Sequence, residues 1–479
     1  MTKLAHVLYC VILAVILSAA AAAVRAQGTD ETKPEPGVQP VAPYQPPLPA
    51  GSTGILALSP SSEIPVAGAD RPLSGVQEQT LGPNLGASNV LVPSFTVVSQ
   101  MATGSSASGF SQPTAFNYLL ATLDLNRASD RSELLLHYTG GGMLSSYLNA
   151  AVQEVEVTYS YKWQRWTLLL GDDASYLSES PFGFGGLGGL DLVTGNSPFG
   201  PGGPLSSILG PNQTIPTIIV PRLSNTAVSQ IEYTLSPRSS WTASGTYGQL
   251  DFLGVDYINS TEAQFQTGYN YSLSPRSSIA VIYRFDDFRF TQFSQSIENH
   301  VMEFGYERNV TGRLNWHLAA GPSVVMLRGV LTGYENNISW DVNGALSYKM
   351  DRGTLELSYA HLVTGGSGVL VGANTGQVQA TIERTLSPRW EGSASLGYAT
   401  NQSLIPASAS LANQNYNSWY GVVRLNHQFR PGTTLFVSYE AQLQAANPAG
   451  CGTPNCGATS IAHEFSVGFN FSLRPISLR

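Results

Sequence analysis

The chain has 479 residues, and only 12% of them are Asp, Glu, Lys or Arg, about half the share of a typical soluble protein. After residue 26, however, no apolar segment reaches the length of a membrane-spanning helix. The formal net charge of −8 also argues against a nucleic-acid partner, because proteins that bind nucleic acids carry basic patches.

Residues 1–26 have the three parts of a secretory signal peptide. Lys3 supplies the positive region, residues 4–23 are apolar, and residues 24–26 resemble a small-residue cleavage site. An uncleaved membrane anchor is the alternative, since an apolar segment of this length can span a bilayer. Cleavage would remove Lys3 and Arg25 and leave 22 basic against 32 acidic residues, a net charge of −10.

Residues 27–88 form a leader that is crowded with proline in its first half. Such a composition favours an extended, solvated chain over a packed core. We therefore expect a disordered periplasmic leader. The alternative is a segment that contacts peptidoglycan or a periplasmic protein.

From about residue 89 onward, apolar and polar residues alternate with the period of a β-strand. In the segment HEFSVGFNF, Phe465, Val467 and Phe469 share one face, and Glu464 and Ser466 share the other. The segments QEVEVTYSY and TTLFVSYEAQ alternate in the same way, although Phe436 interrupts the polar face of the second. A soluble sandwich would also alternate, but its exposed faces would carry ordinary surface charge.

A repeated turn separates many of these strands. Leu-Ser-Pro-Arg occurs at residues 235–238, 273–276 and 386–389, each time between two alternating segments. Proline presets the turn, and the serine before it can bond to the turn backbone. Related turns lie between them at residues 310–313 and 351–353, and another follows at residues 429–432. One turn thus occurs about every 36 to 43 residues, which is typical of hairpins added one after another. A propeller blade has a similar period but needs four strands, and each repeat here holds two.

Short turns alternate with longer loops, as in outer-membrane barrels, where short turns are periplasmic and long loops external. The pattern predicts an all-β fold, namely a transmembrane, antiparallel up-and-down β-barrel. The predicted number of strands is about 18, within a range of 16–18, and an even number is expected because bacterial barrels have even strand numbers. Both ends then lie in the periplasm. The predicted strands are 89–101, 116–126, 132–140, 150–161, 165–175, 224–234, 240–250, 260–272, 278–290, 297–309, 314–326, 334–348, 354–364, 376–386, 390–400, 416–428, 433–445 and 460–471.

The polar faces of these strands should line the lumen, and they are acidic on balance. An acidic channel attracts cations, most strongly at low salt. The alternative is that the carboxylates pair with arginines and only brace the wall. The predicted lining residues are Asp124, Glu133, Glu154, Glu156, Glu232, Arg284, Glu303, Glu307, Asp341, Glu356, Glu391, Arg424, Glu440 and Glu464.

The longest loop spans residues 176–225 and is almost uncharged. Its GFGGLG segment matches GxGxxG, but no strand and helix flank it as a dinucleotide site requires. The seven histidines are scattered, and no GxSxG, HExxH or GK[ST] motif occurs. We therefore expect neither an enzyme nor a cofactor.

Two cysteines remain after the signal peptide. Cys451 and Cys456 lie close together in CGTPNC, and in an oxidising compartment we expect them to form a small disulfide. A metal site would need more ligands than His463 nearby, so we expect none.

Residues 89–471 resemble bacterial outer-membrane porins, and the hairpins with LSPR turns resemble, less specifically, barrels that accompany surface-polysaccharide export. The porin resemblance implies a third external loop that folds inward to narrow the pore, here residues 176–225; a surface cap is the alternative. Residues 472–479 form a C-terminal tail, whereas many such barrels end at an aromatic residue. The pore-loop residues would be Phe182, Phe184, Asp191, Phe199 and Arg222.

The resulting hypothesis is a passive channel of the outer membrane for ions or small hydrophilic solutes. The alternatives are an export duct for a surface polysaccharide and a structural or adhesive barrel with a plugged lumen. The expected partners are outer-membrane lipid and lipopolysaccharide, the barrel assembly machinery and, as in many porins, two further copies in a homotrimer.

Overall fold

The structure, a computed structural model, describes part of the chain: residues 89–106, 109–110, 113–145, 149–177, 222–253, 258–290, 292, 294–329, 333–365, 370–405, 415–446 and 459–478. All of these fall in the second of two compact units, Pro47–Arg479, and the first, Met1–Pro46, lies outside the described residues. Among the described residues, no helix is long and apolar enough to cross a membrane.

The described residues form eighteen long strands and two strands of two residues each. Every predicted strand coincides with one long strand, and several run further than predicted at their loop ends. The strands are β1 (Val90–Ser106), β2 (Gly109–Phe110), β3 (Thr114–Ala128), β4 (Ser132–Ser145), β5 (Asn149–Trp163), β6 (Trp166–Leu177), β7 (Arg222–Ser236), β8 (Ser239–Phe252), β9 (Ser260–Ser274), β10 (Ser277–Phe290), β11 (Gln295–Asn309), β12 (Leu314–Gly329), β13 (Gly333–Met350), β14 (Gly353–Thr364), β15 (Ala373–Ser387), β16 (Trp390–Ser403), β17 (Asn415–Arg430), β18 (Thr433–Ala446), β19 (Thr459–Ser472) and β20 (Ile476–Ser477).

The long strands form one closed antiparallel barrel. From β3 to β19, each strand pairs with the next in the chain, and β1 pairs with both β3 and β19. Val98 of β1, for example, lies opposite Tyr118 of β3 and Gly468 of β19. Closure leaves no free edge along these strands, which a barrel in lipid requires because lipid cannot satisfy backbone polar groups.

The LSPR turns have the geometry that their residues predict. Ser236 Oγ accepts a hydrogen bond from the backbone N–H of Arg238 at 3.2 Å, and Ser274 Oγ accepts one from Arg276 at 3.2 Å. In the third repeat the corresponding distance is 3.4 Å. The serine thus satisfies a turn N–H that the hairpin ladder leaves without a partner.

Alternation along the strands separates an inner face from an outer face. Outward-facing Leu119, Phe304 and Val423 are 62%, 55% and 57% exposed, and their apolar neighbours on the outer face are exposed to a similar extent. Most inward-facing residues on the same strands are buried. So much contiguous apolar surface is unstable in water, and it indicates that the outer face contacts lipid.

Aromatic pairs on the outer face lie at two heights. Near the short turns, the ring centroids of Trp166 and Tyr233 are 4.4 Å apart, and those of Tyr306 and Trp316 are 5.2 Å apart. Nearer the long loops, Tyr398 and Trp419 pair at 4.4 Å, and Tyr439 stacks on His463 at 6.2 Å. Two aromatic girdles around an apolar band are typical of transmembrane barrels.

The predicted tail is partly integrated into the sheet. β20 pairs with the start of β1, with Ile476 opposite Leu91. The N–H of Leu473 donates to the carbonyl of Pro93, and the N–H of Leu478 donates to that of Asn89, both at 2.8 Å. The chain after β19 therefore lengthens the seam at which the barrel closes.

Candidate functional site

The interior wall of the barrel carries the predicted lining residues. The carboxylates and the two arginines assigned to the lumen all lie on inward-facing positions, and most are buried: Glu154 is 0% exposed, Glu156 1% and Asp341 1%. Whether they line an open pore stays a prediction. The predicted set omits four further inward-facing carboxylates, although the same alternation of polar and apolar residues indicates them. They are Asp173, Glu262, Glu335 and Glu383.

Arg284 lies at the centre of a polar network on β9–β13. Its Nε donates to Asp286 at 3.2 Å, and its Nη2 is paired with Asp341. Asp286 also accepts hydrogen bonds from Gln264 at 2.9 Å and from Asn299 at 3.0 Å. Two carboxylates therefore neutralise the guanidinium, so that this part of the wall is acidic on balance.

A second polar group lies at the barrel seam. Glu440 of β18 is directly opposite Glu464 of β19, and both are buried. Gln100 of β1 donates a hydrogen bond to Glu464, and Asn470 donates one to Thr96 Oγ1 at 2.9 Å. The first and last long strands are thus joined by side chains on the inner face as well as by the backbone.

Three carboxylates meet on β5 and β6. One oxygen of each of Glu154, Glu156 and Asp173 lies within 4.8 Å of the others. On the adjacent strand, His137 bonds to Asp124 at 2.5 Å and to Thr139 at 3.0 Å. Oxygen donors of this kind suit a hard divalent cation, but each of the three carboxylates also takes part in other interactions within the protein.

Phe436, which interrupts a polar face in the sequence, fills a gap on the inner wall. Its ring lies against Gly468, where a Cβ atom would come within 2.0 Å of the Phe436 Cζ. The Cζ of Arg424 lies 3.9 Å from the ring centroid, and its Nε donates to Asn426 at 2.8 Å. The aromatic ring therefore holds one of the inward-facing cations against the wall.

An apolar cluster, here called the loop clamp, lies at the loop ends of β10–β12. It joins these strands to Val363 of β14 and to residues of the β8–β9, β14–β15 and β16–β17 loops. Gly372, at φ +75°, lets the β14–β15 loop turn, and its carbonyl accepts a hydrogen bond from Leu404 at 3.2 Å. The clamp consists of Ile258, Phe288, Phe290, Ile297, Val325, Leu327, Val363, Val371 and Ile405.

Sequence reasoning missed the loop clamp. It assigned the constriction to residues 176–225, but Phe182, Phe184, Asp191 and Phe199 lie outside the described residues, as does the side chain of Arg222. The signal was present in the alternation, because inward positions change from polar to apolar at the loop ends, for example at Phe288 and Phe290. Cys451 and Cys456 also lie outside the described residues, so their disulfide stays a prediction.

No protein-family model and no curated protein matches the chain. Solved structures of several Pseudomonas aeruginosa proteins are similar to it, OccK2, OpdK and OprD among them. OccK2 (OpdF), crystallised in complex with glucuronate, has a TM-score of 0.43 at 10% identity, over 80% of this chain and 98% of that one. The outer membrane protein OpdK has a TM-score of 0.41 at 11% identity, over 80% and 99%. For OprD the TM-score is 0.39 at 10% identity, over 83% and 100%.

Proposed function

We propose that the protein is a porin-like channel of the bacterial outer membrane, through which ions or small hydrophilic solutes diffuse passively. The observation that carries the proposal is a closed barrel of eighteen long strands with an apolar outer face and a predominantly polar inner face. Such a wall separates lipid from a polar interior, and transport through it needs no reaction chemistry.

Acidic side chains outnumber basic ones on the described part of the inner face. Arg284 is neutralised by Asp286 and Asp341, so it does not offset the remaining carboxylates. An interior with this balance favours cations over anions, and the preference weakens as salt screens the wall. The proposed channel is therefore cation-selective.

The proposal is tested by conductance in planar bilayers, with the reversal potential measured across a salt gradient. We expect discrete channels with a cation-to-anion permeability ratio above one. The triple variant Asp124→Asn/Glu232→Gln/Glu335→Gln removes three inward-facing carboxylates. It should lower the permeability ratio on the order of twofold, because in water a unit charge interacts with an ion about 7 Å away with an energy of roughly RT.

The matched control removes three acidic charges from the outer face: Asp172→Asn/Asp287→Asn/Glu298→Gln. It should leave the permeability ratio unchanged, since these side chains point away from the lumen. Absence of conductance by the folded protein would refute the channel, and anion selectivity would refute the acidic interior.

A further inference from the structure

A repeated arginine occupies the last position of seven described turns at the short-turn end of the barrel. Each carbonyl is fixed, because it accepts a hydrogen bond of 2.7 to 2.9 Å from the end of a neighbouring strand. Each side chain is exposed. These residues, here called the turn arginines, are Arg131, Arg165, Arg238, Arg276, Arg313, Arg352 and Arg389.

Other basic residues enlarge the charge at this end. The acidic residues of the described short turns are Asp130 and Asp351, and Asp351 pairs with Arg313 at 2.8 Å. Inward-facing Glu133, Glu307, Glu383 and Glu391 lie equally near this end. Basic residues still outnumber acidic ones there, although the whole chain is acidic. The additional basic residues within a few positions of it are Arg127, Lys162, Arg308, Lys349, Arg384, Arg430 and Arg474.

Tryptophans mark the height of the turn arginines relative to the lipid. Trp166 and Trp390 directly follow a turn arginine, Trp241 and Trp316 come three residues after one, and Trp163 comes two residues before one. All five are in strands next to the short turns. Because tryptophan side chains concentrate at the membrane interface, the neighbouring guanidinium groups reach the level of the lipid headgroups.

We propose that the turn arginines bind the phosphate groups of anionic phospholipids in the adjoining leaflet. The inference rests on the lipid-facing barrel of the proposed function but not on transport. A guanidinium donates paired hydrogen bonds to a phosphate, and a ring of them repeats this contact around the barrel. The barrel thus gathers anionic lipid at its short-turn end.

Quenching of tryptophan fluorescence by brominated lipids tests the proposal, since five of the seven tryptophans lie beside the turn arginines. The purified barrel is reconstituted in phosphatidylcholine vesicles that contain increasing fractions of dibrominated phosphatidylglycerol or dibrominated phosphatidylcholine. We expect the anionic lipid to bind about fivefold more strongly, which corresponds to ~1 kcal/mol for a basic residue near an anionic surface. High salt should reduce the difference.

The variant Arg238→Gln/Arg389→Gln should reduce the difference in quenching between the anionic lipid and phosphatidylcholine. The variant Arg238→Lys/Arg389→Lys should retain most of the preference for the anionic lipid. The matched control, Arg289→Gln/Arg328→Gln, removes the same charge at the long-loop end and should behave as the wild type. Equal quenching by both lipids in the wild type would overturn the proposal. An equal loss of the lipid preference in the control variant would also overturn the proposal, because it would show that the net charge of the protein, and not the turn arginines, determines the preference.

Conductance measured on the same preparations separates this proposal from the channel. A barrel that conducts but shows no lipid preference refutes the phosphate contacts alone. A barrel that prefers anionic lipid but does not conduct refutes the channel alone.

Discussion

Phe436 shows how one residue can depart from its strand pattern for a structural reason. Its ring occupies the space above Gly468 and supports Arg424 on its other side. A side chain at residue 468 would compete with the ring, while a polar residue at 436 would leave Arg424 without its aromatic contact. The interruption is visible in the sequence, but its partner on β19 is not.

At the residue scale we predict that Gly468→Ala destabilises the barrel by roughly 1–3 kcal/mol, because the added methyl group overlaps the Phe436 ring. The matched control is Gly421→Ala on β17, where the nearest atom to an added Cβ lies at 3.7 Å. Urea-dependent unfolding in lipid vesicles measures both. Equal stabilities of the two variants would contradict the prediction, and Phe436→Leu should partly rescue Gly468→Ala.

The strands and their turns were the most predictable elements. Alternation and turn chemistry act between near neighbours in the chain, so the LSPR turns and all eighteen long strands follow from local residues. The ends of the strands were less predictable. β20 was not expected at all, since its two residues have no alternation of their own and form a strand only because β1 offers backbone partners.

At the element scale we predict that deletion of residues 473–479 weakens the seam. The deletion removes the hydrogen bonds from Leu473 to Pro93 and from Leu478 to Asn89, at about 1 kcal/mol each. On denaturing gels the folded barrel should migrate faster than the unfolded chain. The temperature at which this faster-migrating form disappears should therefore be lower in the deletion variant. The control is the substitution Arg474→Gln, which keeps the backbone pairing. An unchanged transition in the deletion variant would show that β20 does not support closure.

On the scale of the whole molecule, the inner wall changes character from end to end. Carboxylates, amides and arginines occupy the middle of β9–β13, and the loop clamp makes the long-loop end of β10–β12 apolar. A second apolar cluster, which includes Val98, Tyr118 and Phe436, lies near the seam. Loops that pack into such a cluster are held by burial of apolar surface, which gives them a defined position at the long-loop end of the barrel.

We predict that Val371→Asn loosens the loop clamp and widens the mouth. Burying an amide in this cluster costs roughly 1–3 kcal/mol, which favours an open loop over a packed one. Channel conductance should rise, and limited proteolysis should cut near residues 365–372 faster than in the wild type. Ile338→Asn is the control, because Ile338 is 82% exposed and lies outside the cluster. No change in either measurement would argue against a structural role for the clamp.

The sequence by itself determined the strands, the turns between them and the face on which each predicted lining residue lies. These features depend on a period of two and on short-range turn chemistry, both of which can be read along the chain. Only the tertiary structure decided which side chains meet. Gln100 and Glu464 are 364 residues apart, and the clamp joins three separate loops to four strands. Such contacts depend on barrel closure, which brings distant segments next to each other. Neither segment carries a sequence pattern that identifies its partner.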